Sequence, residues 1–430
     1  MLRLFFALFL FVTPLSVLAA PVEITAPGKQ NIPLALTSLI TETPPLARPE
    51  IPTTFREALL SDLTLSGLFS FIPDEAFLDD ASHLGLTSNK IDFGQWRILG
   101  ASALFKGAYR FEKGQLVVEA RLFDVAERRL ICGRRYRGSV SDLRRMAHAF
   151  SDQILKQLTG IKGPFASRIA FISNASGKKE LYLTDIDGSE PQQITRHRSI
   201  VLNPDFSPVG KELIYTSYRH GKPDLYRREI YSGSETRLAA FPGVNISGRY
   251  RPDGREIAIT LSRDGNSELY LIGTDGTLHH RLTENYAIDV DPSWSPRGDA
   301  LVFVSDRIGN PHLYIYDLVE QKEHRLTFNG KYNATPDWNP TRDSIVFSRL
   351  EEGQFDLYTI SPDGKQEVRL TETPESEEHP RWSPDGRFIV YSLGKEGHHA
   401  IYLMRADGSG VRRITSPSDN STHPAWSGGW

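Results

Sequence analysis

From Pro164 to Trp426 the chain repeats one pattern of apolar and polar positions with a period of 44 residues. A large aromatic stands at Phe206, Tyr250, Trp294, Trp338, Trp382 and Trp426, and a proline holds the same register at Pro164, Pro208, Pro252, Pro296, Pro340 and Pro384. Each unit then carries an apolar-Tyr pair, from Leu181-Tyr182 through Leu225-Tyr226 to Ile401-Tyr402. An apolar-Thr pair closes it, as in Ile194-Thr195, Leu282-Thr283 and Ile414-Thr415, with Leu238-Ala239 the one variant. Between these markers short runs alternate, as in Phe388-Ile389-Val390-Tyr391, and are separated by Pro-Asp-Gly or Asp-Gly turns. Alternation bounded by such turns predicts strands, because proline presets φ and glycine accepts φ > 0. Four strands per unit of this length predict a β-propeller blade.

Six units run from residue 162 to 425, but position 162 of the first is lysine where the others have an aromatic. The leftover "HPAWS" at 423–427 is a first strand without a blade. The two irregularities predict ring closure, with residues 423–427 supplying the innermost strand of the blade formed by residues 168–195. Closure removes an edge that would otherwise invite further strand pairing.

Residues 21–160 lack these markers. Phe55, Leu59, Leu60 and Leu63 fall on one helix face that ends at Gly67, and alternating runs near 101–110, 115–124 and 129–137 predict strands. Leu143, Met146, Ala147, Phe150, Ile154 and Leu158 make a second apolar stripe, with Ser141 as its expected cap and Gly160 as its end. The expected fold is therefore a small N-terminal α/β domain (20–160) followed by a six-bladed β-propeller (161–430) closed by a C-terminal strand. Ahead of both, Arg3, the apolar run Leu4–Val12 and the small residues around Ala19 have the layout of a secretory signal peptide over residues 1–19. Pro14 interrupts a run already short for a membrane span, and no cysteine follows the cleavage site to carry a lipid.

Composition adds little chemistry. The formal net charge is −3, so no basic field calls for nucleic acid or an anionic bilayer. The single cysteine, Cys132, lies in an alternating run and reads as a buried strand residue, so export leaves stability to large cores rather than disulfides.

The stretches "SDLTLSGLFSFIP" (61–73) and "LRRMAHAFSDQILKQLTGIKGPFASRIAFIS" (143–173), together with the aromatic-Ser-Pro-Asp-Gly repeats ending in "HPAWS", resemble the TolB family of the Tol–Pal system. The resemblance spans the whole mature chain. It implies a periplasmic scaffold without enzymatic activity or cofactor, a monomer on its own that does not enter the membrane. It also implies two partners: the lipoprotein Pal, held at the mouth of the propeller channel, and TolA, met by the N-terminal tail around Val22, Glu23, Ile24 and Thr25. Such a role supports outer-membrane integrity and envelope constriction in cell division.

A serine hydrolase needs a Gly-x-Ser-x-Gly elbow, and the nearest approach, Gly265-Asn266-Ser267-Glu268-Leu269, fails at its last position. The Asp-Gly pairs, including Asp185-Ile186-Asp187-Gly188, fit hairpin turns and lack the full ligand spacing of a calcium loop. Three residues before each aromatic stand Asn203, Ser247, Asp291, Thr335, His379 and His423, all polar although each is expected to begin an innermost strand. They read either as polar strand ends or as a rim that docks a partner, with a channel-bound Ca2+ the weaker alternative and a sugar- or peptide-binding propeller the alternative function. His379 and His423 are expected to titrate near neutral pH. The loops just before the rim vary (His197, Val244-Asn245, Tyr286-Ala287-Ile288, Tyr332-Asn333), and varied loops on a repeated scaffold are where binding specificity is written.

Overall fold

The computed structural model describes residues 31–42, 48–77, 85–208, 210–395, 397–416 and 418–428. The expected signal peptide and the tail residues Val22, Glu23, Ile24 and Thr25 lie outside them.

The N-terminal region runs β1 (Ile32–Thr41), α1 (Glu50–Ser66), β2 (Phe69–Phe71), α2 (Phe93–Ile98), β3 (Ala103–Glu112), β4 (Gln115–Asp124), β5 (Arg129–Gly138) and α3 (Leu143–Thr159). Its five strands form one sheet in the order β2-β1-β3-β4-β5, with β1 parallel to both neighbours and the rest antiparallel. The apolar faces of α1 and α3 bury Phe55, Leu59, Leu63, Phe150 and Ile154 against that sheet. Gly67 and Gly160 end these helices at φ 70 and φ 75, a conformation glycine adopts at little cost. At the start of α3 the structure corrects the expected cap. Ser139, not Ser141, forms the capping box with Asp142 across a short 3₁₀ turn, and the Ser141 hydroxyl only meets that of Ser139. The sequence pattern does not predict the strand β2 and helix α2, which are too short to show a period. Cys132 is buried in β5.

Beyond α3 lie six four-stranded antiparallel sheets. In the first, β6 (Arg168–Ser173), β7 (Glu180–Asp185) and β8 (Gln192–Gln193) are completed by the strand Ser421–Trp426, which pairs with β6. The ring is closed as the register required. Trp426 donates its indole N–H to Ser167 Oγ (2.5 Å), and Arg168 N donates to Ser427 Oγ (2.8 Å).

The repeated markers have repeated jobs. In five blades the closing threonine hydroxyl accepts from the backbone N–H of the apolar-Tyr pair: Leu181–Thr195 and Leu357–Thr371 at 2.9 Å, Leu269–Thr283 at 3.0 Å, Leu313–Thr327 at 2.9 Å and Ile401–Thr415 at 2.8 Å. These bonds tie the third strand to the fourth in each blade. The serine before the turn proline works the same way: Ser383 Oγ accepts from Phe388 N at 3.0 Å and Ser295 Oγ from Ala300 N at 3.0 Å.

The N-terminal domain rests on one face of the ring. It meets the hairpins that join third to fourth strands, through Arg144 with Asp187 and through Arg405, which donates to Leu65 O (2.8 Å). Phe165, Ile169, Phe388 and Trp426 share one apolar cluster with α1 and α3, so the two cores are continuous. In such a meander the connections between blades, and the turns between second and third strands, reach the opposite face.

Candidate functional site

The six polar residues at the 44-residue spacing converge on the central channel. They do not begin their strands: Asn203 is the third residue of Val201–Phe206, and Asp291 the third of Asp289–Trp294. All six have φ between 48 and 55. The cause is a bulge in every inner strand, seen for Asn203 as a register shift opposite Ile214 and Thr216. The extra residue turns its side chain toward the axis. Proline follows in five cases and cannot donate to the ladder, which suits a broken register. Gly248 follows Ser247, where a Cβ would lie 2.8 Å from Leu225 Cδ1.

Around the channel the side chains form a partial ring of hydrogen bonds. Asn203 Nδ2 donates to Ser247 Oγ (2.6 Å), and that hydroxyl donates to Asp291 Oδ1 (2.6 Å). Thr335 and His379 turn to their own blades, to Ser348 Oγ (3.1 Å) and Ser392 Oγ (3.2 Å). The His379 and His423 rings stand 3.8 Å apart between centroids. Burial lowers the pKa of His379; burial and the His379 ring lower that of His423 further. Both are therefore neutral at neutral pH, which corrects the expectation that they titrate there.

One step deeper lies a second ring that the sequence did not single out. Arg249 Nη1 approaches Asp205 Oδ1 at 3.5 Å, and Arg381 Nη1 donates to Asp337 Oδ1 at 3.0 Å. Each acid also clasps the next blade, Asp205 accepting from Tyr250 N (2.9 Å) and Asp337 from Trp382 N (2.8 Å). Ser293 does the same for Trp338 N (3.0 Å). Burial pushes the pKa of Asp205 up to about 6 and of Asp337 up to about 7. Arg249 and Arg381, with Asn203, Asp291, Thr335, His379 and His423, line a cavity of about 170 Å³.

The loops around the mouth divide into two kinds. Asn245 is fully buried, and its amide bonds Phe241 N (2.9 Å) and Phe241 O (2.9 Å). Asn333 is fully buried too, held by Arg349 Nε (2.8 Å). His197 bonds Ser217 Oγ (2.7 Å) and Glu235 (3.0 Å) inside its blade. These three brace loops and present nothing, contrary to the expectation that Asn245 touches a partner. Ser247 is likewise spent on its neighbours, while Val244 is half-buried beside it.

The presented surface is apolar and gathers around the fourth blade, on the face away from the N-terminal domain. Tyr286 is fully exposed, Phe328 is 71% exposed, and Ile288, Ile308 and Tyr332 are each about half exposed on the same or neighbouring loops. Ile288 N bonds Asp306 Oδ1 (2.8 Å), which ties two of those loops together. Ile308 and Phe328 lie outside the stretches just before the rim that the sequence singles out. Among the described residues no three His, Cys, Asp or Glu side chains converge as a metal-ligating group, and no helix is long and apolar enough to cross a membrane.

Comparison with known proteins agrees with this architecture. The family model described as the TolB beta propeller domain matches residues 155–429, and that of the TolB amino-terminal domain matches residues 20–131. The Tol-Pal system protein TolB of Syntrophotalea carbinolica is 55% identical over 198 residues, which is 45% of each chain. That of Geobacter sulfurreducens is 43% identical over 195 residues, 44% of this chain and 43% of the relative. The matched stretches thus span less than half of these relatives. The crystal structure of TolB from Acinetobacter baumannii superposes with a TM-score of 0.78 at 25% identity, covering 93% of this chain and 97% of that one. With the propeller model alone covering more than half of its length, this chain belongs to the TolB family, whose curated members are named as Tol–Pal system proteins.

Proposed function

We propose that this chain is a non-catalytic scaffold of the periplasm that binds Pal at the propeller's channel mouth and TolA through its N-terminal tail. In that role it supports outer-membrane integrity and the constriction of the envelope at division. The observation that carries the reading is one face with two parts: the exposed apolar patch of Tyr286, Ile288, Ile308, Phe328 and Tyr332, and beside it the polar channel lined by Asn203, Asp291, Thr335, His379 and His423. A grouped apolar patch next to a polar cavity suits a protein partner that seats aromatic or aliphatic side chains and sends a polar segment inward. The residues carried over for TolA, Val22 to Thr25, rest on the family resemblance alone.

The alternative, a small-ligand propeller holding Ca2+ in its channel, is less well supported, because two guanidinium groups, Arg249 and Arg381, line the same cavity. Repulsion between like charges at short range in a buried site disfavours a cation there.

Calorimetric titration with Pal of the same organism tests the proposal. Tyr286→Ala with Phe328→Ala removes two exposed side chains and no core contact, so the fold should persist while affinity falls at least tenfold, as truncating interface anchors does. Unchanged affinity in a folded double variant would move the Pal site elsewhere.

A further inference from the structure

Where the N-terminal domain meets the first blade, three ionisable side chains are sealed from water. Asp62 stands near the end of α1, His148 in α3, and Asp187 in the hairpin between β7 and β8; each side chain is 1% exposed. His148 Nδ1 lies 2.8 Å from Asp62 Oδ2, and its Nε2 lies 3.4 Å from Asp187 Oδ2. A neutral imidazole has one N–H and can serve one carboxylate; Nε2 makes no hydrogen bond at this distance, and only the imidazolium places a positive charge beside both acids. The geometry is that of a cation held between two anions that belong to different domains.

The surroundings reinforce it. Arg144, one turn before His148, donates Nε to the same Asp187 oxygen at 2.9 Å. The backbone N–H of Ser189 holds the other oxygen at 2.9 Å. From the sixth blade, Arg412 bonds Ser61 Oγ and approaches Asp187 O at 3.5 Å. Asp152, one turn further along α3, is occupied by Phe165 N and Ala166 N, both at 2.9 Å, in the segment that leads into the propeller. These are the charged groups that face the cluster. We infer that Asp62, His148 and Asp187 form a charged latch that docks the N-terminal domain on the propeller and loosens when the imidazolium gives up its proton.

The direction follows from linkage. Burial opposes charge on His148, but Asp62 and Asp187 outweigh it and raise the pKa from 6.5 to about 10. Burial also pushes Asp187 upward, but His148 and Arg144 outweigh it and hold its carboxyl well below the usual range. Asp62 is raised by burial. A histidine whose pKa is higher in the docked state strengthens docking fully below its free value and loses that contribution as pH climbs to the docked value. Asp62 belongs to the same domain as His148 and stays beside it on undocking, so only the part of the shift due to Asp187 couples to docking. Docking should therefore weaken as pH rises from the undocked value of His148 toward about 10, by up to about tenfold per pH unit, and level off above.

Scanning calorimetry of the full chain between pH 6 and pH 9.5 tests this. The wild type should melt in one transition at pH 6 and resolve into separate N-terminal and propeller transitions as pH rises. His148→Gln should resolve them at every pH, with no further change across the window. Asp187→Asn, which leaves the imidazole one carboxylate, should resolve them at lower pH than the wild type. A His148→Gln chain that follows the wild-type pH course would overturn the latch. So would a His148 ring resonance, followed by NMR in the wild type, that titrates near pH 6.5.

Discussion

Consider a chain that ends at Asn420. It loses the strand Ser421–Trp426 and with it the pairs Ser421–Ser173, Thr422–Ile172, Ala425–Ala170 and Trp426–Ile169. It also loses the Trp426 ring, buried against Phe388 at a centroid distance of 6.4 Å, and its bond to Ser167. Removing a buried tryptophan side chain costs about 3–5 kcal/mol. Four ladder positions at about 0.5–1.5 kcal/mol each bring the loss to about 5–11 kcal/mol. Whole domains are stable by only about 5–15 kcal/mol, so the propeller should lose its cooperative fold. The freed edge of β6 would then offer unpaired N–H and C=O groups to other chains. Urea unfolding followed by circular dichroism and tryptophan fluorescence is the assay. The shortened chain should show no sharp propeller transition and should aggregate with concentration, while a chain ending at Ser427, which keeps all these contacts, should unfold like the full one. An unchanged midpoint and slope on ending at Asn420 would refute closure by this strand.

The buried acids of the deeper ring have a pH signature. Asp337 has a raised pKa in the fold, so the folded chain binds more protons than the unfolded one between the ordinary value of 3.8 and about 7. Its contribution to stability is greatest at low pH and declines as pH rises through that window; Asp337→Asn should gain on the wild type in urea midpoint from pH 4.5 to 7.5, and a constant difference would contradict the assignment. The threonine links have a magnitude: Thr283→Ala leaves the buried Leu269 N–H without its acceptor, at a cost of about 1–3 kcal/mol. An unchanged urea midpoint would show that the bond is replaceable.

The sequence made the propeller legible because each blade solves the same problem with the same residues. Trp426 fits the 44-residue register although its blade begins at Arg168, and only a closed ring reconciles the two. The strands β3, β4 and β5 and both long helices of the N-terminal region were legible from their periods; β2 and α2 are shorter than the window in which a period shows. The candidate site was legible in position and less so in state. Spacing located Asn203 through His423, but the left-handed bulge that aims them inward depends on cross-strand register. Nor can spacing separate a polar residue that braces a loop, such as Asn245 or Asn333, from one that is presented. Asp187 shows the same limit. As half of an Asp-Gly turn it bonds Ser189 N, as expected, while its other oxygen faces Arg144 and His148 from a domain whose docking the local sequence does not encode.

The central claim is that the face away from the N-terminal domain is the docking platform. Hydrogen exchange of the full chain with and without Pal tests it most directly. The account predicts protection in the loops around 284–289, 306–311 and 328–333 and in the inner strands carrying Asp291 and Thr335. Protection confined to the hairpins between third and fourth strands, or to the N-terminal domain, would contradict it.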